Sequence, residues 1–135
     1  MRVFLDTNVL FSAFATRGLC ADLVEVVLLE HELITGGAVL RELRSALRGK
    51  ARLPASRCDE IARFVQQIAA TCVRSSSPVS ARVDPDDAVV LGEAVAGRSH
   101  VFVTGDTAVQ RLTAIAGMRI QSPRDFWDLL RSQVK

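Results

Sequence analysis

Short apolar runs alternate with longer amphipathic stretches along the whole chain. Val3-Phe4-Leu5 and Val101-Phe102-Val103 are compact and fully apolar, the length of a buried strand. The strands predicted are Arg2–Leu5, Glu32–Thr35, a short one at Val73, Val101–Val103 and Met118–Gln121. Between them apolar positions recur at helical spacing. Ala21–Glu30 presents Leu23, Val24, Val27 and Leu28. Ala38–Leu47 carries Val39, Leu40, Leu43 and Leu47 on one stripe, with Glu42 beside it. Pro54 and Ser56 open a helix in which Ile61, Phe64, Val65 and Ile68 share a face. Further helices are predicted at Val9–Phe14 with Asn8 as N-cap, from Asp84 as N-cap to about Ala96, at Ala108–Ala116, and after Ser122-Pro123, with Ser122-x-x-Asp125 as a capping-box variant. Ser75 to Ser80 reads as a loop.

Strands alternating with helices imply βαβ units and a parallel sheet covered on both faces. The expected fold is a three-layer α/β/α sandwich around a central, mainly parallel sheet. At 135 residues the chain is expected to form one domain, 1–135. Hydrophobic residues make up 49% and charged residues 24%, which excludes disorder as the main state. Every apolar run is broken by charge well short of the roughly twenty residues a membrane span needs. Asp6 interrupts the stretch where a signal peptide would need an apolar core. Cys20, Cys58 and Cys72 are odd in number, with no C-x-x-C pair and neither His31 nor His100 beside one. They read as reduced packing residues of a cytoplasmic protein, not as a disulfide framework or zinc site.

Net charge is +2, but it is unevenly spread. Arg41, Arg44, Arg48, Lys50, Arg52 and Arg57 face a single acid, Glu42, in the same window. Such a basic block predicts a polyanionic partner; alone it reads equally well as a solvated helix face and loop.

Acids stand where a parallel sheet forms its sites, outside the carboxyl ends of strands. Asp6 ends the first strand, and Asp106 follows the Val101–Val103 strand after Thr104-Gly105. Glu42 lies on the helix after the second strand, and Asp87 in the first turn of the helix opened by Asp84-Pro85. Each of the last three also has a structural reading, as helix cap, first-turn acid or surface ion pair. Together, Asp6, Glu42, Asp87 and Asp106 would form a hard-oxygen pocket suited to Mg²⁺ or Mn²⁺, ions that activate water for phosphoryl displacement. Asp84 and Asp86 are alternative ligands from the same turn.

Val3-Phe4-Leu5-Asp6-Thr7-Asn8-Val9-Leu10 resembles the opening of a PIN domain. Val39-Leu40-Arg41-Glu42-Leu43, Asp84-Pro85-Asp86-Asp87-Ala88 and Phe102-Val103-Thr104-Gly105-Asp106 resemble its later motifs, in family order over essentially the whole chain. The resemblance implies a five-stranded parallel sheet and a metal-dependent endoribonuclease cutting single-stranded or loop RNA. It also implies that the chain is the toxin of a toxin–antitoxin pair, with a cognate antitoxin and a homodimeric state. By position, Asp6, Glu42, Asp87 and Asp106 would be the catalytic and metal-binding acids, with Asn8 and Thr104 orienting carboxylates or water. Arg41, Arg44, Arg48, Lys50, Arg52 and Arg57 would track the RNA backbone. The family's fourth motif often carries a second acid two residues on, and here that position is Ala108. A catalytically degenerate PIN-like module that binds RNA or protein is therefore the alternative.

Overall fold

The computed structural model describes residues 1–133. Its elements run β1 (Arg2–Leu5), α1 (Thr7–Ala15), α2 (Leu19–Glu30), β2 (Glu32–Gly36), α3 (Gly37–Gly49), α4 (Ala55–Ile68), β3 (Thr71–Val73), α5 (Pro85–Ala96), β4 (Val101–Val103), α6 (Thr107–Gln110), β5 (Ala114–Ile115), β6 (Met118–Gln121) and α7 (Pro123–Ser132). The sheet order is β3-β2-β1-β4-β6-β5. The first five strands in that order are parallel, and only β5 pairs antiparallel, with β6. The α/β class and mainly parallel sheet are those the sequence predicts, with one two-residue strand added at the edge.

Neighbouring side chains on a strand point to opposite faces. Val3, Phe4 and Leu5 of β1 and all three residues of β4 are buried, so the middle of the sheet is covered on both sides. Phe4 and Phe102 are register partners and stack with ring centroids 5.5 Å apart. On α3, Val39, Leu40, Leu43 and Leu47 are buried as the periodicity requires.

Four local expectations are corrected. Helix α1 starts at Thr7, capped by Asp6, whose Oδ1 accepts from Thr7 N–H at 2.8 Å; Asn8 lies inside the helix. Helix α6 stops at Gln110, well before Ala116. Ala116 and Gly117 have φ of 50° and 81°, the two positive values a two-residue hairpin demands, so the chain there folds back as β5–β6. Leu28 is 37% exposed and Phe64 47%, so neither joins the core its periodicity assigns it to. Finally, Asp84 makes no side-chain capping bond; Pro85 at the first helical position and the acids after it start α5.

Candidate active site

The parallel register sets up the site. Leu5 pairs with Val103, so the next residues, Asp6 and Thr104, leave the sheet side by side at its carboxyl edge. Thr104 Oγ1 donates to Asp6 Oδ2 at 2.7 Å. Asn8 Nδ2 reaches the same oxygen at 3.3 Å, and Asn8 Oδ1 accepts from Gly105 N–H at 2.8 Å. Asp106 N–H donates back to Thr104 Oγ1 at 3.0 Å. Asp106 is a helix cap as well, its Oδ1 accepting from Ala108 N–H at 2.8 Å. Asn8 and Thr104 thus orient Asp6.

Asp6, Glu42, Asp87 and Asp106 come from four separate segments and line one cavity of about 280 Å³. Burial is the main influence on Asp6, and it raises the carboxyl above its ordinary pKa. Bonds from Thr104 and Thr7 pull it back down, while Glu42 and Asp106 push it further up. Burial likewise raises Glu42, against a bond from Thr7 Oγ1 at 2.7 Å and with repulsion from Asp86, Asp87 and Glu93. Asp87 is pushed up to about 6, first by burial and then by Asp106, Asp6, Asp84 and Asp86. The four acids therefore sense one another across a partly desolvated space.

Not every predicted residue is there. Asp84 is exposed at the start of α5 and lines none of these cavities, and Asp86 lines a neighbouring depression with Arg41 and Glu42. Arg41, Arg44 and Arg48 line a groove of about 400 Å³ between α3 and α4. Arg44 is paired there with Asp59 at 3.4 Å. Arg57 pairs instead with Glu60 at 2.9 Å, and Arg52 sits at φ 55° in the turn after α3; neither lines the groove. Arg41 continues into a depression bounded by Glu42 and Lys50, and those two line the acidic cavity. Basic groove and acidic cavity are contiguous.

Three supporting residues escaped the sequence reading. Thr7 holds Glu42, as described. Gln110 Nε2 donates to Thr104 O at 2.7 Å, fixing the turn that carries Asp106. Glu93, only 5% exposed, accepts from Ala38 N–H at 2.8 Å and Val39 N–H at 3.2 Å. It caps α3 from another helix. The Glu93 carboxylate lies where a side chain on Gly36 would be, so only glycine fits before α3. Two signals pointed to it: an acid inside the apolar run Ala88–Ala94, and a helix opening on Gly36-Gly37 with no cap of its own.

The PIN-domain sequence pattern matches residues 2–108. The chain belongs to the PIN-domain family. PIN domains are generally nucleases and typically use divalent metal ions. The fold is also that of a solved structure, VapBC2 from Rickettsia felis bound to a DNA fragment from their promoter. The two share 11% identity with a TM-score of 0.62, over 90% of this chain and 98% of that one. Comparison with curated proteins gives no match.

The donor chemistry of this PIN domain fits a hard divalent cation: four carboxylates on one cavity, with no thiol or imidazole. As placed, no three His, Cys, Asp or Glu side chains among the described residues stand close enough to hold an ion. Mutual repulsion of like charges favours such spreading. Among the same residues, no helix is long and apolar enough to cross a membrane.

Proposed function

We propose that this PIN domain is a divalent-metal-dependent endoribonuclease acting on single-stranded or loop RNA. The convergence of Asp6, Glu42, Asp87 and Asp106 on one cavity, contiguous with the α3–α4 groove, carries this reading. Those four acids would hold Mg²⁺ or Mn²⁺. When bound, the ion supplies an activated water and neutralises charge at the phosphoryl group. Asp6 is kept in place by Thr104 and Asn8, and Glu42 by Thr7, so both carboxylates are oriented before substrate arrives. Arg41 and Arg48 in the groove are in no ion pair among the described residues, which leaves them to hold the RNA backbone.

The biological setting belongs to the same proposal. The chain acts in the cytoplasm as the toxin of a toxin–antitoxin pair, working as a homodimer and neutralised by a cognate antitoxin. The fold shared with VapBC2 supports the antitoxin part of this proposal. Leu29, 76% exposed, and Phe64 are apolar surface for a partner's helix to cover.

The test is cleavage of a structured RNA pool with Mn²⁺, Mg²⁺ or EDTA, by wild type and Asp6→Asn. Cutting that depends on metal and is lost in the variant is expected. Ala108 favours a second reading, a non-catalytic module that binds RNA or protein. Folded protein that binds RNA but cuts with no metal would establish that reading instead.

A further inference from the structure

One cation stands among the acids. Of the side chains lining the acidic cavity, Lys50 alone is basic. Its place is fixed by the end of α3, where its backbone N–H donates to Ala46 O at 2.8 Å. Its Nζ lies 5.9 Å from the centroid of the Phe11 ring, another lining residue, and an aromatic face attracts an ammonium group. Among the described residues, ion pairs join Arg2 to Glu32, Arg44 to Asp59 and Arg57 to Glu60; Lys50 is in none. A lysine that shares a cavity with four acids and pairs with none has its three donors available for another anion. Lys50 also borders the depression that holds Arg41, so it stands where groove and cavity meet.

We infer that Lys50 is a catalytic residue that binds a non-bridging oxygen of the phosphodiester being cut. This rests on the nuclease reading and assigns Lys50 a role different from that of the groove arginines. An RNA phosphate brings a further negative charge into a cavity lined by four carboxylates, and one divalent cation offsets only half of their charge. Lys50 offsets part of the remainder at the point of entry. In the reaction a water oxygen bonds to phosphorus and loses a proton, one P–O ester bond breaks, and the departing oxygen takes up a proton. Lys50 keeps its own protons throughout. It stabilises the charge spread over the phosphoryl oxygens as the bond breaks, so its effect falls on the chemical step. Arg41 and Arg48 hold the backbone in the adjoining groove.

Lys50 is exposed, so its replacement leaves the core intact. The experiment compares wild type, Lys50→Ala and Lys50→Arg on a short fluorescent single-stranded RNA with Mn²⁺. Lys50→Ala is expected to lower kcat about 10- to 100-fold and to raise KM by a smaller factor, with Lys50→Arg restoring part of the loss. A second readout needs no cleavage: relaxation of the ³¹P signal of inorganic phosphate by protein-bound Mn²⁺. It is expected in wild type and lost in Lys50→Ala, whose Mn²⁺ affinity is unchanged or tighter because a repelling charge has gone. If wild type cuts no RNA yet relaxes phosphate through Lys50, the nuclease reading falls and the phosphate contact stands. If wild type cuts RNA and Lys50→Ala matches it in kcat, or only raises KM, the inference falls and the nuclease stands. Wild type that fails to relax phosphate, or weaker Mn²⁺ binding in Lys50→Ala, also overturns it.

Discussion

At the amino edge of the sheet, the Arg2 guanidinium donates to Gly97 O at 2.8 and 3.1 Å, to Thr71 Oγ1 at 3.0 Å and to Glu32 Oε2 at 3.2 Å. His100 Nδ1 accepts from Arg2 N–H at 2.8 Å, and the N-terminal ammonium lies 3.1 Å from His31 Nδ1. At the carboxyl edge, just past the other end of the same strand, Asp6 is 7% exposed and shares its cavity with three other acids. Both edges are rich in hydrogen bonds. At the amino edge one of them joins Arg2 to the opposite charge of Glu32, and two more close the end of α5 at Gly97 O. At the carboxyl edge they orient carboxylates that still repel one another. The first arrangement adds stability, whereas the second gives some up and leaves net negative charge in a desolvated space. That contrast, more than the number of acids, is the ground for proposing function at the carboxyl edge.

The contrast breaks most sharply on activity. Asp6→Asn or Asp106→Asn should lower RNA cleavage by about a thousandfold or more while the melting temperature holds or rises, because a repulsive charge has gone. Cleavage rates beside thermal melts check both halves. Arg2→Ala should do the reverse. It removes four side-chain bonds and should cost about 1–3 kcal/mol, roughly 3–10 °C in Tm, with Mn²⁺ affinity unchanged.

Glu93→Ala joins the two behaviours. It strands the buried N–H groups of Ala38 and Val39 and should cost about 1–3 kcal/mol by denaturant titration. It also loosens the start of α3, the helix that carries Glu42, so Mn²⁺ affinity should fall about tenfold. Unchanged affinity would make Glu93 a structural cap only.

The smallest expected effect is on pH dependence. Asp87 is raised from 3.8 to about 6, so the native state binds its proton more tightly than the unfolded chain does. Stability from this group therefore falls as pH rises from about 4 to 6 and is level above that. The burial-raised shifts of Asp6 and Glu42 act in the same direction. In metal-free buffer, Asp87→Asn should lose less Tm than wild type between pH 4 and 6, by a few degrees. Parallel curves would show that Asp87 is not destabilised by its neighbours.

Much of this was legible because the rules concerned are local. A parallel sheet puts its sites at strand ends, and Asp6 and Asp106 each follow a short apolar run whose strand character is plain. Glu42 and Asp87 follow from helix starts at the same edge. What escaped depends on contacts between distant segments. The Glu93 cap on α3 joins residues 55 apart, and no periodicity on either helix reveals it. Asn8 is a good capping residue by type, yet Asp6 caps α1 and Asn8 bridges to Gly105, because the pairing of β1 with β4 brings that loop alongside. The helix expected through Ala116 fails because Ala116-Gly117 turns the chain back onto β6, a choice made by strand pairing. Lys50 was legible as a basic residue; only the fold separates it from the groove and sets it beside the acids.

On the proposed function, the carboxyl-edge acids hold a divalent cation. Titration of the protein with Mn²⁺, followed by electron paramagnetic resonance at pH 5 and pH 8, tests it most directly. Saturable binding is expected that strengthens with pH, as protons leave Asp87, Asp6 and Glu42, and that is lost in Asp6→Asn. Binding that is absent at both pH values, or that survives unchanged in Asp6→Asn, would contradict it.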